Sequence, residues 1–390
     1  MSSAKALPYR PIMVRVEKFG ERRAKNLLRF GVVSLALLAS LSGCVGVQRP
    51  MPQANPTPST RIPHSAAPVA PAAPKRPLNR HAPIGLENLV REQWRIFPGR
   101  TGVAIMRIDG GEWITGQRAT DLFPQQSVSK TWVALTILDL VDQGKVSLDQ
   151  KIRITPNDLA VFHQPIRDRV ISNGGIEATV LALLEQAIIA SDNTANDSLL
   201  RTAGGPQAVQ SFLARKNLGA IRFGPGERVL QSGIAGLDWR QEYALGNRFY
   251  AARNMVPMAK RKAALDLYLA NPIDGASPEA IVRALARLAK GELLSPASTR
   301  LILGVMSRTS SGPNRMKAGV PAGWRFLHKT GTGQILSPVS TGYNDIGIMT
   351  APDGTRYALA IMMGSTTASI PQRMGFMQFV SRTTAIYHDQ

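Results

Sequence analysis

Ser127 and Lys130 stand three positions apart in the run Phe123-Pro124-Gln125-Gln126-Ser127-Val128-Ser129-Lys130. On a helix that separation puts both side chains on one face, so the amine can reach the hydroxyl. A serine hydroxyl is a weak nucleophile at neutral pH and needs a partner to take its proton. Ser127 also opens the helix, where the partial positive charge of the N-terminus favours a developing alkoxide. Ser129 is a poorer candidate, because Lys130 is its immediate neighbour and points elsewhere. The chemistry this pair can do is acyl transfer through a serine ester. A second S-x-x-K, at Ser2 and Lys5, lies in a segment with the features of an export signal, so the spacing alone is weak.

Two further motifs follow in order, Ser191-Asp192-Asn193 and Lys329-Thr330-Gly331, each occurring once. S-x-x-K, S-D-N and K-T-G in this order are similar to the signature of penicillin-binding proteins and class A β-lactamases. The set implies that Ser191 relays a proton to a leaving nitrogen and that Asn193 donates its amide to a substrate carbonyl. Asp192 is expected to hold its loop through backbone hydrogen bonds. Lys329 supplies positive charge near a substrate carboxylate, with the Thr330 and Thr332 hydroxyls as further partners. Gly331 lets the backbone of an edge strand come close to a ligand. The backbone N–H groups of Ser127 and Thr332 are the candidate oxyanion hole.

The likeness extends beyond the motifs. Residues 141–150, Val-Asp-Gln-Gly-Lys-Val-Ser-Leu-Asp-Gln, resemble class A β-lactamases, as do Ser191–Asp197, Gly204-Gly205-Pro206 and Val320–Trp324. Asn344-Asp345-Ile346-Gly347 is similar to the extended-spectrum branch. The resemblance covers roughly residues 86–390, apart from the segment after Gln231. It implies a β-lactam as the small-molecule substrate, and a carboxylate base that hydrolyses the acyl-enzyme from a Glu-x-x-Leu-Asn loop. The nearest match is Glu227-Arg228-Val229-Leu230-Gln231, in which Gln231 replaces the usual Asn. Its amide can still orient water. The segment from Ser232 to Gly275 is longer than family members usually show, which predicts a remodelled loop. Many members also carry an arginine on the strand after K-T-G; here that stretch reads Tyr343-Asn344-Asp345. Arg315 lies upstream, where other members place a substituting arginine, and is expected to assist Lys329.

The elements that must position these residues read as strands bracketing helices. Strand-like runs at 101–108 and 112–115 flank an Asp109-Gly110-Gly111 turn, and others lie at 324–329, 345–350 and 356–363. Helical spacing marks 131–142 and 178–190, Ser277-Pro278-Glu279 opens another helix, and 372–387 is helical. The segment 226–277 is weakly patterned, notably 255–262. The first strands most simply pair with the last. The fold class is therefore α/β (α+β), an antiparallel sheet flanked by helices plus an all-helical lobe, and the resemblance implies the β-lactamase/penicillin-binding transpeptidase type. A catalytic domain is expected at 86–390, with residues 86–120 and 318–390 in the sheet lobe and 121–317 in the helical lobe.

Residues 1–44 read as an export signal: Arg22, Arg23, Lys25 and Arg29 precede a short apolar stretch from Phe30 to Leu41. That stretch is shorter than the ~20 residues of a membrane-spanning helix. Leu41-Ser42-Gly43-Cys44 resembles a bacterial lipobox, with Cys44 as the acylated residue and the membrane anchor. Cys44 is the only cysteine, so the fold holds no intramolecular disulfide. Residues 45–85 are rich in Pro and Ala and read as an extended tether, with a reach on the order of 100 Å at ~3.1 Å per residue. The expected location is the periplasm, on a membrane and near peptidoglycan; Val45 after the cysteine favours the outer membrane.

The net charge is +21, of which +11 belongs to residues 1–85, with 13 basic and two acidic side chains. The remaining basic balance is a solvated surface. No nucleic-acid recognition motif is visible. No metal or organic cofactor is implied, since His64, His81, His163, His328 and His388 show no ligand spacing. The alternatives to a β-lactamase are a D,D-peptidase on peptidoglycan stems, which would release penicillin slowly, and a lipoprotein that binds wall fragments without catalysis. Labelling of Ser127 by a β-lactam, and its persistence, separates the three.

Overall fold

The computed structural model describes residues 81–390. The signal segment, Cys44 and nearly all of the tether lie outside the described residues. Helix α1 (Ile84–Ile96) opens two residues before the expected domain boundary, where the sequence reading placed no helix. It buries Leu86 and Val90, one turn apart, and places Glu87 in its first turn and Arg95 in its last, as the helix dipole favours.

Strands β1 (Arg100–Arg107), β2 (Trp113–Gln117) and β3 (Phe123–Pro124) follow. A 3-10 turn at Gln126–Ser129 leads directly into α2 (Lys130–Asp142). This helix is apolar around most of its circumference, and a helix of that kind belongs in a core. It is accordingly buried from Lys130 to Asp139. The helical lobe continues with β4 (Lys151–Ile154), α3 (Arg167–Ser172) and β5 (Ile176–Thr179), the two strands forming a ribbon of their own. Then come α4 (Val180–Ile189), α5 (Asn193–Thr202), α6 (Pro206–Arg215) and α7 (Glu227–Ile234). The weakly patterned segment contains α8 (Arg248–Met255) and α9 (Met258–Ala270). Their pattern is weak because they lie on the surface: only Phe249, Leu265 and Tyr268 are buried, while Met255, Met258 and Leu267 are exposed.

After β6 (Gly275–Ala276), which pairs with β3, come α10 (Pro278–Ala289) and α11 (Pro296–Ser307). Strands β7 (Arg325–Gly331), β8 (Ile335–Leu336), β9 (Val339–Thr350) and β10 (Arg356–Thr366) precede α12 (Ile370–Ile386). The main sheet runs β2-β1-β10-β9-β7, all antiparallel, with β8 also on β9. The first strands do pair with the last: Ile105 stands opposite Leu359.

Both faces of the sheet are buried. Val103, Ile105, Leu359, Ile361 and Met363 face α1 and α12. Ala104, Met106, Ile346, Ile348, Ala360 and Met362 face the other way, into the core that also contains α2 and the helical lobe. Helix α10 corrects the expected lobe boundary. It lies in the stretch assigned to the helical lobe, yet it packs on β1, β9 and β10 and covers this second face of the sheet. Its buried stripe, including Ile281, Leu285 and Leu288, is what joins the two lobes in one core.

Candidate active site

Ser127 sits in the 3-10 turn and Lys130 begins α2, so the expected pairing is realised at the junction of two helix types. Gln126 is in the left-handed region at φ 53°, a conformation uncommon for a residue with a side chain. Such strain persists only where neighbours fix it. Here the Gln126 N–H donates to Asp274 Oδ2 at 2.8 Å and its side-chain amide donates to the Tyr268 hydroxyl at 2.7 Å. Gly331 of the edge strand β7 lies against the same turn, and a Cβ on it would fall 2.4 Å from the Gln125 carbonyl oxygen. The glycine thus serves the approach of β7 to the turn bearing the serine.

Lys130 is completely buried, and its ammonium has three acceptors: Ser127 Oγ at 2.7 Å, Asn193 Oδ1 at 2.8 Å and Glu227 Oε1. Three donors meet three acceptors, so the buried charge is fully satisfied. Glu227 is only 4 % exposed and is the first residue of α7, after Gly226 at φ 94°. Its N–H is capped by Asp197 Oδ1 at 3.1 Å. Burial, then the charge of Glu227, pushes the Asp197 carboxyl up to about 6. Gln231 lies one helical turn on from Glu227, as the spacing predicts. Its amide donates to Gln126 Oε1 at 2.8 Å and to Glu227 Oε2 at 3.3 Å.

Ser191 adopts φ 61° just before α5. Asp192 caps that helix, accepting from Ala195 N–H at 2.8 Å and also from Ile166 N–H at 2.8 Å, the loop-holding role expected of it. Asn193 gives one amide hydrogen to the Val161 carbonyl at 2.7 Å, which leaves its second for a ligand. Lys329 donates to Ser191 Oγ at 2.8 Å and to the Thr330 carbonyl at 2.9 Å. It is fully buried, standing behind Ser191 and not on the cavity wall. Burial first, then the charges of Lys130 and Arg315, hold its pKa well below the usual lysine value.

Arg315 comes to the site from the loop between α11 and β7. It donates to the carbonyls of Gly331 at 2.8 Å and Asn344 at 2.5 Å and to Thr332 Oγ1 at 2.5 Å, with its guanidinium 3.9 Å from the centre of the Tyr343 ring. Thr330 Oγ1 lies 2.7 Å from Ser311 Oγ. These groups surround a cavity of about 730 Å³, walled by Ser127, Ser191, Asn193, Glu227, Gln231, Thr330, Thr332 and Arg315. All the site residues expected of the described chain are therefore at this cavity or hydrogen-bonded to its wall.

Sequence reasoning missed the outer support. Asp274 accepts from the Tyr268 hydroxyl at 2.9 Å as well as from Gln126, and burial pushes its carboxyl up to about 6. Tyr268, Gln126 and Gln231 thus form a continuous hydrogen-bonded path from Asp274 to Glu227. No motif marks it, because Tyr268 and Asp274 lie in the weakly patterned segment and meet Gln126 only through the fold.

The β-lactamase enzyme family model matches residues 86–388. The chain is 29% identical to β-lactamase VEB-1 of Pseudomonas aeruginosa over 285 residues, covering 73% of this chain and 82% of that protein. It is 26% identical to extended-spectrum β-lactamase PER-1 of Pseudomonas aeruginosa over 264 residues, 67% of this chain and 74% of that one. A solved variant of the last common ancestor of Gram-negative bacteria β-lactamase class A shares 28% identity and superposes with a TM-score of 0.61, over 77% of this chain and 97% of that one. With the S-x-x-K, S-D-N and K-T-G residues gathered at one cavity, the chain belongs to the β-lactamase enzyme family, as a class A serine enzyme.

Proposed function

We propose that this protein hydrolyses β-lactams through an acyl-enzyme on Ser127, as a relative of extended-spectrum β-lactamases. The observation that carries the assignment of roles is the Lys130 ammonium, bonded at once to Ser127 Oγ and to the Glu227 carboxylate beside one cavity. Ser127 Oγ attacks the lactam carbonyl carbon, and its proton passes to the Lys130–Glu227 pair. The oxyanion is received by the backbone N–H groups of Ser127 and Thr332. The C–N bond breaks as Ser191 gives its proton to the nitrogen and takes back the one held by the Lys130–Glu227 pair, which leaves Glu227 a carboxylate for the next step. Lys329 suits this, because an Nζ–H of Lys329 occupies the Ser191 oxygen and leaves the hydroxyl hydrogen free to point away. The ring carboxylate is held by Thr330, Thr332 and Arg315, with Asn193 on the acyl side chain. Glu227, with Gln231 beside it, then takes a proton from the water that attacks the ester, and a proton returns to Ser127 Oγ through Lys130 as the ester bond breaks.

The test is intact mass against time with excess benzylpenicillin. Wild-type protein should convert all of it to penicilloate with no lasting adduct. Glu227→Ala should accumulate a stable adduct on Ser127, with turnover reduced by at least ~10²-fold, the low end of general-base catalysis. A lasting adduct on the wild type would make the protein a penicillin-binding peptidase instead.

We infer further that the enzyme works in the periplasm, tethered by a lipid on Cys44. The basic and apolar run before Leu41-Ser42-Gly43-Cys44 and the Pro/Ala-rich stretch after it support this reading. Mass spectrometry of membrane-extracted protein checks it; an N-terminal fragment that retains residues 1–43 unmodified would rule it out.

A further inference from the structure

The cavity holds a second guanidinium that the chemistry above does not use. Arg253, on α8, lines it together with Tyr250, Phe162, Gln334 and Ile335. Arg315 is tied into the β7 wall by three hydrogen bonds. Arg253 makes one, from Nη1 to Gln334 Oε1 at 3.3 Å; its Nε, like that of Arg315, is buried without a partner among the described residues. Among the described residues Arg253 makes no ion pair with a carboxylate, and after burial itself the groups that act on it are Arg261 and Tyr250. A partly desolvated arginine without an anion is unfavourable, and a ligand carboxylate removes that cost through charge-assisted hydrogen bonds.

The group is also held in place. Arg253 Cζ stands 5.1 Å from the centre of the Tyr250 ring, which packs on Phe162 and Phe249 at 5.7 and 6.1 Å. Gln334 in turn donates to the Gln231 carbonyl at 2.8 Å and to Gln231 Oε1 at 3.2 Å. Arg253 therefore belongs to the end of the cavity bounded by α7 and β8, whereas Arg315 belongs to the β7 wall.

We propose that Arg253 forms an anion subsite that takes a carboxylate on the acyl side chain of the β-lactam, distinct from the ring carboxylate placed at Thr330, Thr332 and Arg315. The proposal rests on the β-lactamase reading and names a substrate class for it: penicillins and cephalosporins with acidic side chains. Tyr250 and Phe162 supply an aromatic wall for the apolar part of the same side chain.

Three penicillins that differ at one carbon test it in the full chain: benzylpenicillin, its α-carboxy analogue carbenicillin and its α-amino analogue ampicillin. The readout is the ratio of kcat/KM for carbenicillin to that for benzylpenicillin within one preparation, so the folded fraction cancels. In Arg253→Gln this ratio should fall about tenfold, mainly through KM, while the ampicillin ratio rises. Arg253→Lys, which keeps the charge, should hold the carbenicillin ratio within about threefold of wild type. An unchanged ratio in Arg253→Gln overturns the subsite. So does an equal loss on all three substrates in both variants, which would mark Arg253 as a structural support. A wild-type protein that hydrolyses none of the three refutes the β-lactamase reading itself, and the subsite with it.

Discussion

Asp197 shows how a single buried carboxyl can serve the site at the expense of stability. It caps the N–H of Glu227 from 3.1 Å while feeling the charge of Glu227, and its pKa is raised to about 6 from an ordinary 3.8. The folded state therefore binds this proton more tightly than the unfolded chain does. It follows that stability falls as pH rises from about 4 to about 6 and stays lower above that. In Asp197→Asn the Oδ1 acceptor remains and the charge is gone. The variant should be more stable than wild type at pH 7.5, by on the order of 3 kcal/mol. The gain should shrink towards zero near pH 4. Denaturant melts of both proteins at pH 7.5 and 5 measure this, and an equal midpoint at pH 7.5 would show that Asp197 carries no unfavourable charge there.

Helix α9 packs on α7 through Leu265 and joins the hydrogen bonds of the site through Tyr268, whose hydroxyl donates to Asp274 and accepts from Gln126. Tyr268→Phe leaves a buried Asp274 oxygen and the buried Gln126 side-chain N–H donor without partners. The expected loss is about 1–3 kcal/mol of stability. Gln126 also holds Gln231, which holds Glu227, so the acyl-enzyme should persist longer in this variant than in wild type. A shortened stability with an unchanged adduct lifetime would show that α9 supports the fold without reaching the base. The helix that carries S-x-x-K and the strand that carries K-T-G were legible because their periodicity reports burial on one side or all round, whereas α5, which opens at Asn193 of S-D-N, was not marked as a helix. Glu227 and Gln231 were legible through resemblance to a short local motif expected on a loop; the structure places both on α7, four positions apart. The path from Asp274 to Gln126 was not, since it joins residues 148 positions apart and each is unremarkable in its own segment. The same holds for Arg253, which reads as one more charge on a basic surface until the fold turns it into the cavity.

The sheet makes one molecule of two cores. Its alternating side chains feed α1 and α12 on one face and α10 with the helical lobe on the other, so loss of packing on either face is felt through shared strands. The catalytic groups stand at the edge strand β7 and in the helical lobe, away from α1. Leu86 is fully buried in the α1 layer, beside Val90 and the sheet residues Val103, Ile105 and Leu359. Leu86→Ala should therefore remove about 2–5 kcal/mol of stability while leaving kcat near the wild-type value at temperatures where the protein stays folded. Because the sheet is common to both cores, the loss of activity and the loss of far-ultraviolet circular dichroism should still coincide on heating, at a lower midpoint. If activity instead survives beyond a first, partial loss of helical signal, the α1 layer melts as a separate unit and the two cores are coupled only weakly.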